Sequence, residues 1–416
     1  MSVKVEEKRI ALMYAGHIDP DRIDDYIEAG GYQGLKKALA SAPAEIIDML
    51  VKVMLRGRGG AGFPAGLKER FAEQSPGEQK YIVCNGDEGE PGTFKDRIIM
   101  EQEPFVYLEG MTIAAYAIGA SRGYVYIRGE YHRSIERTIA AIDQARKGGF
   151  LGKDIQGTDF SFDIEVRIGA GSYLVGEELT LLESLEGKRG YPRIKPPFPS
   201  EKGLFGRPTL LNNVETFANI PAIITGGPDW YLIMGTEASP GTKIFCVSGD
   251  VAAPGFFEAE MSITLRDLIF GFAKGMRRGR EFKAALLGGA AGTFVDESFL
   301  DAQMAFDTLQ ERGATLGSGA VIVMGSGRSI FSMLHSILRF FEHESCGKCV
   351  PCRVGMRQLL REMDALKRTT HNREIFLDRL VLQAEQMAKS SLCPLGKSPI
   401  LPVASAVHRF RDELSG

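Results

Sequence analysis

Apolar positions recur at helical spacing near the start of the chain. Ile46, Ile47, Leu50, Val51 and Met54 follow the i, i+3, i+4 rule and form one stripe, so residues 1–55 read as helices. A glycine run follows at 56–64, then a short helical stretch through Lys68 and Phe71. Beyond it, strand and helix patterns alternate. Strands are expected over 81–84, 124–128 and 162–168, and helices over 104–119, 134–147 and 177–186, the last stopping at Gly187. This alternation predicts an α/β layer fold.

The period changes near Gly241. Strands are expected over 243–249, 255–259, 282–287 and 320–324. Thr264 and Asp267 make a capping-box-like start to a helix over 265–272. Two strands, a helix and two strands predict a small ubiquitin-like α+β module. The Arg277-Arg278-Gly279-Arg280 run inside it reads as a solvated turn rather than a binding patch. From 328 the chain looks helical again. Amphipathic stripes over 330–341, 356–366, 377–384 and 403–414 predict a four-helix bundle. The expected domains are 1–240, 241–327 and 328–416.

Composition narrows the class. The chain has 416 residues, 44% hydrophobic and 25% charged, which is ordinary for a soluble globular protein with a core of its own. A formal net charge of -3 excludes a general nucleic-acid binder. No window holds the roughly 18 apolar residues of a membrane span, and the nearest, 105–120, is interrupted by Glu109. The first residues, MSVKVEEKRIALMY, carry charges where a signal peptide needs an apolar stretch, so a cytoplasmic location is expected. Glycine is in excess, 49 residues, where about 7% is average. The backbone must therefore turn tightly, or lie close to something, at many points.

Six cysteines carry the first chemical signal. Cys84 and Cys246 sit in apolar strand-like runs and read as small buried hydrophobes. Cys346, Cys349 and Cys352 form a CxxCxxC run between two helices, and Cys393 follows at a distance. Three thiolates at i, i+3 and i+6 on a turning loop can hold three corners of a cubane, with a fourth closing it. The bacterial ferredoxin run begins with the same spacing. Structural zinc normally pairs two CxxC knuckles or adds histidines, and His343 keeps that alternative open. A 4Fe–4S cluster is the favoured reading, and it implies one-electron chemistry.

Gly57, Gly59 and Gly62 spell GxGxxG, but a helix rather than a strand precedes them, so the standard dinucleotide fingerprint does not apply. The loop still offers bare backbone N–H groups, two arginines and Lys68, suited to a phosphate or a flat ring. A second loop, 169–171, does join a strand to a helix. Glu177 and Glu178 in its first turn would repel a phosphate, so it is expected to meet sugars or rings. Asn85, Asp87, Glu88 and Glu90 follow a strand, where α/β folds bind ligands, and Asn212, Asn213 and Thr216 form another polar group.

Together, RGRGGAGFP (56–64), CNGDEGEPGTFKDR (84–97), GAGSYLVGEE (169–178), NNVET (212–216), CGKCVPCRVG (346–355) and SLCPLG (391–396) closely resemble the NADH-binding flavoprotein subunit of respiratory complex I. Relatives in NAD-linked formate dehydrogenases and hydrogenases share the pattern. The resemblance covers nearly the whole chain. It implies a Rossmann-like FMN domain, a ubiquitin-like domain and a helical bundle with the cluster on Cys346, Cys349, Cys352 and Cys393. It implies FMN contacts from Gly57, Gly59, Lys68, Asn85, Asp87, Tyr173, Gly176, Glu177, Asn212, Asn213 and Thr216. It implies that Phe63, Phe71 and Phe205 hold the NADH adenine, that Glu90 meets the nicotinamide amide, that Glu178 meets the adenosine ribose, and that Lys195 lies beside the dinucleotide.

Two departures look more like the soluble hydrogenase and formate dehydrogenase branch: Gly89, where complex I usually has serine, and Pro394 after the fourth cysteine. Leu179 and Thr180 also replace a Thr-Ala pair. Neither a thioredoxin-like nor a ferredoxin-like extension is read in the chain. The implied partners are a thioredoxin-like 2Fe–2S subunit and a larger iron–sulfur catalytic subunit. The resemblance thus implies an NADH:acceptor oxidoreductase, or diaphorase, subunit. Hydride transfer to a flavin needs alignment rather than a general base, so no side-chain acid or base is assigned. The alternatives are a complex I subunit, a relay or scaffold that has lost its flavin, and a zinc-binding interaction protein.

Overall fold

Four parallel strands, β1 (Tyr81–Gly86), β2 (Arg122–Ile127), β3 (Asp163–Ile168) and β4 (Thr209–Asn213), form a sheet in the order β3-β2-β1-β4. The computed structural model describes residues 5–369 and 371–416, so the first four residues of the expected 1–240 domain lie outside it. Ile82, Val83 and Cys84 are fully buried, the continuous apolar run of a strand covered on both faces. Strand order reverses between β1 and β4, and a doubly wound sheet opens a crevice at the carboxyl ends there. Cys84 pairs with Asn212 and Asn85 with Asn213, so polar side chains meet at that mouth.

Helices α1 (Ile23–Glu28), α2 (Gln33–Leu39), α3 (Pro43–Lys52) and α4 (Ala65–Gln74) precede the sheet. Helices α5 (Lys95–Gln102), α6 (Pro104–Ile118), α7 (His132–Lys147), α8 (Glu178–Leu185), α9 (Pro199–Lys202), α10 (Val214–Gly226) and α11 (Pro228–Leu232) complete the unit. The stretch nearest to a membrane span is α6, a core helix buried on nearly every side. Its Glu109 accepts hydrogen bonds from the Tyr26 hydroxyl at 2.6 Å and from the N–H groups of Tyr32 and Leu35, both at 2.8 Å. Its Gly110 lies so close to α10 that an added Cβ would fall 2.0 Å from the Phe217 carbonyl oxygen. Among the described residues no helix is long and apolar enough to cross a membrane.

A second sheet holds β5 (Thr242–Gly249), β6 (Gly255–Glu260), β7 (Phe282–Leu287), β8 (Thr293–Val295) and β9 (Ala320–Gly325) in the order β6-β5-β9-β7-β8. Only β5 and β9 pair in parallel; the other pairs are antiparallel. Thr264 and Asp267 cap each other as expected, but the helix they start becomes a π-helical turn over Asp267–Phe272. Helix α12 (Phe306–Glu311) precedes β9. Arg277 and Arg278 are exposed on a turn. Buried Glu258 accepts hydrogen bonds from the N–H groups of Ile10, Ala11 and Leu12 at 2.9, 3.0 and 2.9 Å, fastening the N-terminal segment to this sheet.

The remaining chain is helical: α13 (Ile330–Glu344), α14 (Val350–Arg368), α15 (Arg373–Ser390), α16 (Pro394–Lys397), α17 (Ile400–Arg409) and α18 (Arg411–Ser415). The last amphipathic stripe breaks at Phe410, whose backbone leaves the helical region at φ -128° and ψ 32°. The buried faces of α13, α14, α15 and α17 share one core with Leu286 and Phe294 of the second sheet and with Leu174.

Candidate functional site

A cleft of about 1440 Å³ opens at the carboxyl ends of β1 and β4. That exceeds the roughly 300–1,000 Å³ of a usual small-molecule pocket, leaving room for a cofactor and a dinucleotide together. Gly57, Gly59, Lys68, Asn85, Asp87, Tyr173, Gly176, Glu177, Asn212, Asn213 and Thr216 all line it. So do Phe63, Phe71, Glu90, Glu178 and Lys195. Phe205 is not among the lining residues; it is 54% exposed and stands edge-on to Tyr81, while Phe198 lines the cleft. The loop between α12 and β9 adds Thr315, Gly317 and Ser318, and the C-terminal helices add Pro394, Leu395, Ser398 and Leu401.

The acidic turn after β1 divides its work. Glu88 borders the cleft too, but its carboxylate is already engaged: it accepts from the N–H groups of Asp96 at 2.9 Å and Arg97 at 3.1 Å, holding the start of α5. Asp87 stays in the cleft, where burial pushes its carboxyl up to about 7; Arg128 opposes the shift, while Glu130 and Glu344 reinforce it. Glu90 also faces the cleft. It accepts from the Tyr173 hydroxyl at 2.6 Å and the Ala291 N–H at 3.1 Å. Burial raises the Glu90 carboxyl, and the hydrogen bonds from Tyr173 and the backbone resist that rise.

Glu177 and Glu178 behave differently though adjacent. Glu177 caps α8 by accepting from the Thr180 N–H at 2.9 Å and hydroxyl at 2.8 Å. Glu178 pairs with Lys195 at 2.5 Å and Lys68 at 3.2 Å. Lys195 also reaches Glu177 at 3.2 Å.

The glycine loop lies against the mouth of the sheet. A Cβ on Gly59 would stand 3.2 Å from the Asn213 Cβ, and one on Gly62, at φ +65°, would stand 2.7 Å from the Phe306 ring. These close approaches explain the glycines. The loop arginines do not face a ligand. Arg58 is fully buried and donates to the Arg56 and Pro240 carbonyls and the Tyr231 hydroxyl, while Arg56 donates to the Gly62 carbonyl and lies over the Phe306 ring. Of the three cations expected there, Lys68 alone lines the cleft. Asn212 is 4% exposed and its Nδ2 has no partner among the described residues. A buried donor left unmade costs about 1–3 kcal/mol, so a cofactor accepting from it fits this wall. The volume, the glycine approach and the orphaned donor all fit FMN.

Sequence reasoning gave no role to Lys95 and Asp96, which line the same cleft. Lys95 Nζ lies 2.7 Å from Asp96, 2.9 Å from Glu215 and 2.9 Å from the Asn213 Oδ1. Burial alone would lower this ammonium, but Asp96, Glu215 and Glu88 reverse the effect and raise it. The signal in the sequence was the charge pair itself, a Lys-Asp step shortly after the acidic turn, beyond Pro91-Gly92-Thr93-Phe94.

The four cysteines of the cluster motif come together where α13, α14 and α16 meet. Cys349 precedes the first residue of α14, Cys352 lies in its first turn, and Cys393 precedes α16. Gly347, at φ +76°, lets the loop turn between the first two thiols. Burial pushes the Cys352 thiol up to about 11; Ser345 at 3.2 Å opposes this, while Cys349, Cys393 and Cys346 add to it. Among the described residues no group of three or more His, Cys, Asp or Glu side chains closes to single-ion spacing. Four neighbouring soft thiols are the donor set that an iron–sulfur cluster takes. The site touches the cleft wall: the Tyr173 N–H donates to Glu344 at 2.9 Å, and Pro394, next to Cys393, lines the cleft.

The family model described as "Nuo51 FMN-binding domain" matches residues 50–222, and "NADH-ubiquinone oxidoreductase-F iron-sulfur binding region" matches residues 332–416. The chain is 50% identical over 396 residues to an NADH-quinone oxidoreductase subunit of Aquifex aeolicus (strain VF5), spanning 94% of this chain and 90% of that one. It is 44% identical over 408 residues to HndC, a subunit of the NADP-reducing hydrogenase of Solidesulfovibrio fructosivorans, spanning 98% and 83%. A solved structure of an NAD+-reducing nickel–iron hydrogenase in the H2-reduced state matches with a TM-score of 0.85 at 34% identity, over 98% of this chain and 67% of that chain.

Proposed function

Because the chain belongs to the family of NADH-binding flavoprotein subunits that carry FMN and a 4Fe–4S cluster, we propose that it is the diaphorase subunit of a soluble NAD-linked formate dehydrogenase or hydrogenase. One observation carries the reading: Pro394 and Leu395, beside the cluster ligand Cys393, line the same cleft as Lys68, Glu90 and Asn212. Hydride and single-electron chemistry would thus meet across one wall.

FMN, when bound, converts a two-electron hydride into single electrons that a cluster accepts. The chain's own residues align and exclude water. Asn85, Asp87, Tyr173, Gly176, Glu177, Asn212, Asn213 and Thr216 surround the flavin's place, with Gly57 and Gly59 admitting it closely and Lys68 supplying positive charge. Phe63, Phe71 and Phe205 would stack the adenine. Glu90 would meet the nicotinamide amide and Glu178 the adenosine ribose, with Lys195 alongside. Cys346, Cys349, Cys352 and Cys393 would hold the cluster.

In this reading residues 1–240 form the Rossmann-like FMN unit, 241–327 a ubiquitin-like unit and 328–416 a four-helix bundle. The partners are a thioredoxin-like 2Fe–2S subunit and a larger iron–sulfur catalytic subunit, in the cytoplasm. The 50% identity to a component of a quinone oxidoreductase favours complex I as the second reading. A tagged native complex should decide between them. Formate- or hydrogen-driven NAD+ reduction supports the first, whereas NADH:quinone activity with neither would replace it by the second.

A further inference from the structure

Gly288 to Gly292 connect β7 to β8 in the second sheet, far in sequence from the acidic turn. This turn nevertheless touches Glu90. The Ala291 N–H donates to Glu90 Oε1 at 3.1 Å, while the Tyr173 hydroxyl donates to Oε2 at 2.6 Å from the opposite unit. The two oxygens are thus held from two sides, one by each unit. Gly289 sits at φ +81°, and a Cβ there would lie 2.5 Å from Glu90 Cγ and Oε1. Only glycine lets the turn close on this side chain. Gly288 and Ala291 also line the cleft.

We propose that the Gly288–Gly292 turn is a positioning element of the dinucleotide site, fixing the Glu90 carboxylate through the Ala291 N–H and the missing Cβ of Gly289. The second sheet is then a working wall of the nucleotide cleft, and Gly289 is a positioning residue for nicotinamide recognition. This rests on the reading that Glu90 meets the nicotinamide amide. A carboxylate free to rotate would present its acceptors in several orientations. Held from both sides it presents one, and the ligand spares the cost of ordering it.

The test uses the full chain loaded with FMN and cluster. Gly289→Ala should weaken NAD+ binding by calorimetry and raise the NADH KM at least tenfold, with kcat, FMN and iron within about twofold of wild type. Gly279→Ala is the control, since Gly279 has a similar φ of +79°, belongs to the same unit and has none of the described residues within 4 Å of an added Cβ. It should change neither binding nor KM. Glu90→Gln should weaken NAD+ on its own, and adding Gly289→Ala to it should weaken binding no further, because the turn acts through Glu90. Additive losses, or normal binding in Gly289→Ala while Glu90→Gln is impaired, would overturn the proposal and leave the role of Glu90 standing. Normal binding in Glu90→Gln would overturn that role and the proposal with it. If Gly289→Ala does not fold, Ala291→Pro removes the N–H and sets the ring Cδ where the hydrogen pointed at Glu90, and the same tenfold loss, or its absence, decides.

Discussion

Lys195 Nζ stands 2.5 Å from Glu178 Oε1, and Lys68 reaches the other oxygen at 3.2 Å, so one carboxylate occupies two ammonium groups in the cleft. Burial works against the charge of Glu178, but Lys68 and Lys195 outweigh it and hold the carboxyl below its usual range. Removing that charge would free both lysines toward a 2′-phosphate and abolish a like-charge repulsion. Glu178→Gln is expected to raise the NADPH:NADH ratio of kcat/KM by roughly tenfold or more, about 1.4 kcal/mol. Steady-state kinetics with both cofactors check this, and an unchanged ratio would remove Glu178 from ribose recognition.

Phe63 and Phe71 are 44% and 48% exposed within the cleft, unusually open for large aromatic side chains. Stacking on a base is worth about 1–3 kcal/mol. Phe63→Ala or Phe71→Ala should therefore raise the NADH KM by about 5- to 150-fold and leave FMN content intact. Phe205→Ala should have the smaller effect, because its ring rests against Tyr81 outside the lining. Loss of FMN from any of the three would place that ring at the flavin instead.

Replacing Cys349 with Ser should separate the two chemistries. Hard oxygen is a poor substitute for a thiolate on iron. Iron should be lost, and delivery of electrons to the physiological partner should stop. FMN and NADH-driven reduction of a two-electron dye should persist, since the residues proposed to surround the flavin precede Phe217 in the chain. Iron, FMN and both activities measured on one preparation settle it. A variant with full iron and normal partner reduction would refute the ligand set.

Glu69 on α4 is fully buried, and neither carboxylate oxygen has a partner among the described residues. Burial pushes its carboxyl up to about 8. In the unfolded chain it titrates at about 4.3. Between those values the folded state holds more protons, so stability falls as pH rises, and the loss is complete above about pH 8. Glu69→Gln should leave stability nearly unchanged near pH 5 and raise it near pH 9 by an amount on the order of a few kcal/mol, read as a higher Tm at the higher pH only. Equal effects at both pH values would show that the carboxyl ionises in the folded state at its usual range.

The α/β alternation and the cysteine run were legible because each depends on neighbours in sequence. Strand β4 was not: its five residues TLLNN end in two asparagines that looked only like a polar group, and pairing with β1 alone makes them a strand. Helix α10 was hidden by Pro221 and by burial all round, which erases the amphipathic period. The loop arginines misled for a related reason. Their cationic character was visible, but not that Tyr231 and the carbonyls of Gly62 and Pro240 would claim them. The contributions of Ala291 and Ser318 to the cleft exist only once loops of the second sheet, distant in sequence, reach the mouth of the first.

The bonds from Ile10, Ala11 and Leu12 to Glu258 have a consequence for how the molecule is made. The donors leave the ribosome early, but Ile10 finds its acceptor 248 residues later. At about 5–20 residues per second the wait is roughly 10–50 s. During that time the first sheet can close around β1 while the N-terminal segment still lacks its anchor. A nascent chain halted shortly before Glu258 should therefore expose residues 10–12 to protease, and one halted well beyond it should protect them.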